Sequence, residues 1–116
     1  MKILFICNQN KNRSKTAEEL FRGKFETKSA GLYNNNPVTE KEINWADVVI
    51  VMESEQRDEI AKRFPKAYLQ KRILSFDVPD VYQYNQPSLT RILNQKMRDI
   101  CYEFLSHSLI CGEKFN

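Results

Sequence analysis

Two stretches of the chain are apolar without a break, Ile3-Leu4-Phe5-Ile6 and Val48-Val49-Ile50-Val51-Met52. Strands that never alternate with polar residues are buried on both faces, so Lys2–Cys7 and positions 48–52 read as central strands of a parallel sheet. Between them, positions 14–23 place Ala17, Leu20 and Phe21 on one helical face, with Gly23 as the stop signal. Positions 26–30 form a short strand, and 31–37, containing Asn34-Asn35-Asn36, a loop. Thr39 and Glu42 have the spacing of a capping box, which starts a short helix ending near Trp45.

After the second apolar run, positions 53–64 read as a polar-faced helix closed by Pro65. Positions 72–76 form another strand and 77–86 a loop. From Pro87 a long helix carries Leu89, Ile92, Leu93, Met97, Ile100, Cys101, Phe104 and Leu105 at helical spacing. Strands that alternate with helices predict one α/β domain over residues 1–116, a doubly wound four-stranded parallel sheet with helices on both faces. Ligands bind such sheets beyond the carboxyl ends of the strands. That edge brings together the end of the first strand, the turn at 52–54 and the loop at 77–84.

Directly after the first strand stands Cys7-Asn8-Gln9-Asn10-Lys11-Asn12-Arg13-Ser14. A loop between a strand and a helix start presents backbone amides and positive potential to an oxyanion, and Arg13 adds a planar fork for phosphate oxygens. A cysteine in such a field is stabilised as the thiolate, the nucleophilic form. The eight residues therefore suggest a reaction as well as a ligand. No Gly-Lys-Ser/Thr follows the loop, which excludes a nucleotide-binding phosphate loop.

Composition narrows the class without naming it. The chain has 116 residues, 41% hydrophobic and 28% charged, with a formal net charge of +3. Its basic residues are scattered, so neither nucleic acid nor membrane is an expected partner. The apolar segment at 3–6 is too short for a signal peptide, and a cytoplasmic monomer is expected. The 3 cysteines, Cys7, Cys101 and Cys111, lack metal-ligand spacing and are expected to be free thiols. No metal or cofactor is expected.

At Cys7-x5-Arg13-Ser14, with Asn10 inside the loop, the chain resembles the low-molecular-weight protein tyrosine phosphatases, in a compact bacterial form. Ser14-Lys15-Thr16-Ala17-Glu18 resembles the family's helix start, and Ser29-Ala30-Gly31 its second strand end. Trp45-Ala46-Asp47 through Met52 resembles its third strand, and Asp77-Val78-Pro79-Asp80-Val81-Tyr82 its acid loop. The resemblance implies hydrolysis of phosphotyrosine, or a similar phosphate ester, through a phosphocysteine on Cys7. Arg13 and the amides of residues 8–14 would hold the phosphoryl oxygens. Ser14 would donate to the sulfur and Asn10 would pin the loop.

The general acid would come from the acid loop. Asp77 and Asp80 both qualify by type, and Asp80 aligns better because it stands two residues before Tyr82. Tyr82 and Tyr84 would line the cleft, and Lys11 would add charge beside the phosphate. His107 reads as a packing or surface residue. Substrates would be phosphorylated proteins or small phosphate esters, with inorganic phosphate, vanadate or sulfate as competing oxyanions.

Four positions depart from the family pattern: Gln9 for glycine, Lys15 for proline, Val81 for proline, and Asn12 where many members carry a second cysteine. None removes a group that the chemistry needs. Three other readings use parts of the same loop: a thiol-dependent arsenate reductase relaying through Cys101 and Cys111, a phosphocysteine carrier, and a non-catalytic phosphate-binding or adaptor protein.

Overall fold

The computed structural model describes residues 1–103. Four parallel strands form one sheet in the order β2-β1-β3-β4, with β1 at Lys2–Cys7, β2 at Glu26–Gly31, β3 at Val48–Val51 and β4 at Arg72–Ser75. The two unbroken apolar runs are the two central strands, and the more polar β2 and β4 take the edges. Burial on both faces is what makes the central strands apolar throughout.

Helices α1 (Arg13–Phe21), α2 (Glu40–Trp45), α3 (Ser54–Arg63), α4 (Pro65–Gln70) and α5 (Pro87–Glu103) cover the sheet. Successive side chains of a strand point to opposite faces, and the core divides accordingly. Ile3, Phe5 and Cys7 join Val48 and Ile50 under Ala17 and Phe21 of α1 and Leu89, Leu93 and Met97 of α5. Leu4 and Ile6 join Val49 and Val51 under Ile43 of α2, Ile60 of α3 and Ala67 of α4. Phe5 stacks on Phe21 with ring centroids 5.8 Å apart, fixing α1 over β1.

The α/β class, the parallel sheet and the helices on both faces agree with the sequence reading. The capping box is present too: Thr39 Oγ1 accepts from the Glu42 amide at 3.2 Å, and Glu42 Oε1 accepts from the Thr39 amide at 2.9 Å. Two expectations are corrected. Pro65, read only as the end of a helix, also opens α4. Its fixed φ and missing N–H cost nothing at a first helical position. Cys101, read as a free thiol, is disulfide-bonded, whereas Cys7 is free and buried.

Phe104, Leu105, His107 and Cys111 lie outside the described residues. Among the described residues no helix is long and apolar enough to cross a membrane.

Beyond their ends the strands stay linked. The Leu32 amide donates to Cys7 O, the Met52 amide to Ile6 O and the Val78 amide to Met52 O, at 3.0, 3.1 and 2.8 Å. Strand order turns around between β1 and β3, because β1 connects onward to β2 on one side while β3 lies on the other. Such a switch point opens a crevice at the carboxyl edge. Cys7 ends β1 on one side of it, and Glu53 follows β3 on the other.

Candidate active site

Cys7 is 3% exposed and stands where β1 gives way to the loop of residues 8–12. Its Sγ lies 2.9 Å from Ser14 Oγ. Ser14 is wholly buried and its hydroxyl also donates to Asn10 Oδ1 at 2.8 Å. Asn10 adopts φ 54°, the left-handed region that asparagine tolerates better than most residues. That turn folds the loop back so that its own side chain meets the first turn of α1.

A serine hydroxyl has one hydrogen and two partners here. With Cys7 as a thiol, S–H donates to Ser14 Oγ and Ser14 donates to Asn10. With Cys7 as a thiolate, the hydroxyl hydrogen turns to the sulfur. The trio therefore serves both protonation states without moving a heavy atom.

The rest of the loop is tied to neighbouring strands. Asn8 O accepts from the Tyr33 amide at 2.8 Å, and Asn8 Oδ1 accepts from Gln56 Nε2 at 3.0 Å. Gln56, 2% exposed, also accepts the amides of Met52 and Glu53 through Oε1 at 2.8 and 2.9 Å. One buried amide thus fastens the phosphate-loop candidate to the end of β3. No side-chain hydrogen bond from Asn12 caps α1, so the first-turn N–H groups that such a cap would take remain for a ligand.

Arg13 is 1% exposed, and a guanidinium so far from water requires partners. Nη1 donates to Glu53 Oε1 at 2.6 Å and to the carbonyl of Val78 at 2.7 Å. Nε lies 3.7 Å from Asp80 Oδ1. The segment that carries Asp80 is held on its far side as well, since the Asn85 amide donates to Thr16 Oγ1 at 2.8 Å. Cys7, Asn8, Gln9, Lys11, Asn12, Arg13 and Asp80 line a single cavity of about 130 Å³. Lys11 makes no ion pair with any described residue.

The other acidic candidate is placed elsewhere. Asp77 sits at φ 54°, accepts the Ser75 hydroxyl at 2.7 Å and lines a separate surface hollow with Glu53, Ser54, Glu55 and Pro79. Tyr82 is half-buried and packs on the core beneath α1 and α5, while Tyr84 is 49% exposed. Neither tyrosine lines the cavity around Cys7.

The sequence matches no family model and no curated protein, but its fold matches solved structures. The arginine phosphatase YwlE from Geobacillus stearothermophilus superposes with a TM-score of 0.67 at 22% identity, covering 91% of this chain and 96% of that one. The tyrosine phosphatase Wzb from Escherichia coli K30, solved with phosphate, gives 0.71 at 20% identity over 89% and 97%. The low-molecular-weight protein tyrosine phosphatase from T. tengcongensis gives 0.67 at 20% over 83% and 92%.

The chain has the low-molecular-weight tyrosine phosphatase fold.

Within that fold, sequence reading picked out the cysteine loop and Asp80 but missed three supporting residues. Glu53 stands directly after an apolar strand run, at the edge where ligands bind, and that position was the available signal. Thr16 and Gln56 carry no comparable mark. A threonine inside a helix and a glutamine in its first turn are ordinary surface residues until tertiary packing buries them.

Proposed function

We propose that this protein is a phosphomonoesterase that hydrolyses phosphotyrosine through a phosphocysteine intermediate. The observation that carries this reading is the meeting of Cys7, Arg13 and Asp80 around one small cavity. The Cys7 thiolate attacks phosphorus, an S–P bond forms and the ester P–O bond breaks. Asp80 protonates the departing phenolic oxygen. Arg13 and the loop amides hold the equatorial oxygens, whose charge grows in the transition state.

In the second step Asp80 takes a proton from water and the water oxygen attacks phosphorus. The S–P bond breaks, inorganic phosphate leaves and the thiolate returns. The Ser14 hydroxyl, 2.9 Å from the sulfur, stabilises that thiolate as leaving group. No metal or cofactor is needed for either step.

Solved structures of similar fold include both an arginine phosphatase and tyrosine phosphatases. Lys11 on the cavity wall favours the second substrate class here, because a cation at the mouth disfavours a guanidinium leaving group and suits a phenolate. Tyr84, exposed on the acid loop, offers an aromatic face outside the cavity for a protein substrate.

The test is steady-state kinetics on phosphotyrosine, phosphoserine and phosphoarginine peptides, with Cys7→Ser alongside. The expected order puts phosphotyrosine first, and Cys7→Ser binds phosphate without turnover. Strong activity in Cys7→Ser would sink the mechanism, and a preference for phosphoarginine would sink the substrate assignment.

A further inference from the structure

Gln56 is 2% exposed and its carboxamide has only one workable orientation. Oε1 accepts the backbone N–H groups of Met52 and Glu53 at 2.8 and 2.9 Å. Turned over, the side chain would set an NH2 group against those two donors, so Nε2 is the end that faces the cysteine loop. There it meets Asn8 at 3.0 Å. Nε2 only donates, so the Asn8 atom opposite it is the acceptor, Oδ1. Two backbone amides at the end of β3 thereby dictate how a loop side chain is oriented, with Asn8 Nδ2 turned away from Gln56.

Asn8 Nδ2 carries two N–H donors. Among the described residues the only buried side-chain polar atom without a partner is Asn34 Oδ1, so Asn8 Nδ2, which pairs with none of them, reaches open space. Asn8 lines the cavity with Cys7 and Arg13. Its backbone is tied separately, because Asn8 O accepts the Tyr33 amide at 2.8 Å. A donor whose other end is clamped and whose backbone is fixed needs no reorganisation when an acceptor enters the cavity.

We propose that the Asn8 side chain is a further oxyanion ligand, donating through Nδ2 to a bound phosphoryl oxygen, and that Gln56 is the positioning residue that holds it in that orientation. The proposal rests on the reading of the cavity as an oxyanion site and does not require hydrolysis.

Gln56→Glu separates the two ends of this relay. A carboxylate at position 56 still accepts the Met52 and Glu53 amides, and those donors favour its ionised form. It has no hydrogen to give Asn8 Oδ1. The Asn8 amide then turns over to offer Nδ2 to the carboxylate, and its donors are lost to the cavity. The added negative charge weakens anion binding as well, but it does so whatever stands at position 8. Asn8→Leu, of similar size, removes the donor and the pairing with Gln56 together.

The experiment is calorimetric titration of inorganic phosphate and vanadate, near neutral pH, into wild type, Asn8→Leu, Gln56→Glu and the double variant, with Asn8→Ala as a second donor-free protein. The expected result is that Asn8→Leu and Asn8→Ala bind both oxyanions about tenfold more weakly than wild type, as for one lost hydrogen bond to a charged group. Gln56→Glu weakens binding by at least as much, and its effect shrinks by about fivefold or more in the Asn8→Leu background. Wild-type affinity in Asn8→Leu and Asn8→Ala overturns the proposal. An equal effect of Gln56→Glu in both backgrounds overturns the relay, since the charge alone then accounts for it. A wild type that binds neither oxyanion overturns the proposal together with the reading of the cavity. A wild type that binds phosphate but releases none from para-nitrophenyl phosphate defeats the hydrolase reading alone, while the four affinities still decide the roles of Asn8 and Gln56.

Discussion

The Thr16 hydroxyl accepts the backbone N–H of Asn85 at 2.8 Å, across 69 positions of the chain. Thr16 lies one turn into α1, directly behind the cysteine loop, and is 1% exposed. Asn85, at φ 57°, lies near the end of the segment that carries Asp80. One buried hydroxyl therefore ties the helix that follows the proposed nucleophile's loop to the proposed acid's loop.

Replacing Thr16 by Val keeps the shape and removes the acceptor, leaving the Asn85 N–H without its partner. The expected cost is about 1–3 kcal/mol of stability, with kcat on phosphotyrosine peptides lowered several-fold by a loosened acid loop. Para-nitrophenyl phosphate, whose leaving group needs less protonation, should be affected less. Equal losses on both substrates would mean that the clamp does not act through the acid.

Asp80 and Asp77 make opposite predictions. Asp80→Asn should lower kcat on phosphotyrosine peptides by about 10²–10⁴-fold, the usual range for a general acid. Asp77→Asn should leave kcat within about twofold, because asparagine tolerates the φ of 54° and still offers an oxygen to the Ser75 hydroxyl. Comparing the two variants under one set of assay conditions checks the assignment.

At Asn10 a backbone effect and a hydrogen bond can be separated. Asn10→Gly relieves the positive φ but gives up the acceptor for Ser14, whereas Asn10→Ala gives up the acceptor and adds strain. Both should lower kcat/KM by about tenfold or more, since loop misplacement on the ångström scale is costly. Only Ala should also lose a further 1–2 kcal/mol or so of stability. Thermal unfolding beside the kinetics tells the two contributions apart.

Gly31 pairs with Cys7 across β1 and β2. A Cβ added there would stand 2.9 Å from Asn34 Cγ and 3.0 Å from the backbone oxygen of Asn8. The side chain of Asn34 can give way, but the Asn8 carbonyl belongs to the phosphate-loop candidate. Gly31→Ala should therefore weaken phosphate binding as well as stability, although it adds no group to the cavity. Unchanged phosphate affinity in a destabilised protein would show that the loop absorbs the shift.

The parts of this protein legible without coordinates are those governed by short-range patterns. Ile3 to Ile6 and Val48 to Met52 announce central strands because burial on both faces leaves no place for a polar residue. The Thr39 and Glu42 pair marks a helix start, and the spacing of Cys7, Arg13 and Ser14 marks an oxyanion loop. Even Asp80 was within reach, because strand order alone sends its loop to the edge where β1 ends. The start of α4 at Pro65 was not, since a proline that ends one helix and begins the next looks the same in both roles.

Only the tertiary structure decides which groups surround Arg13. Glu53 is 40 residues away and Val78 is 65, and nothing local in either segment requires the meeting. It depends on β3 lying beside β1 and β4 beside β3 in a fixed register. The same holds for Gln56 reaching Asn8 and Thr16 reaching Asn85. Sequence determined the candidate reacting groups and the elements that carry them. Their spacing and hydrogen-bond partners were decided by packing, because long-range contacts follow from the order of the sheet and leave no periodic trace in the chain.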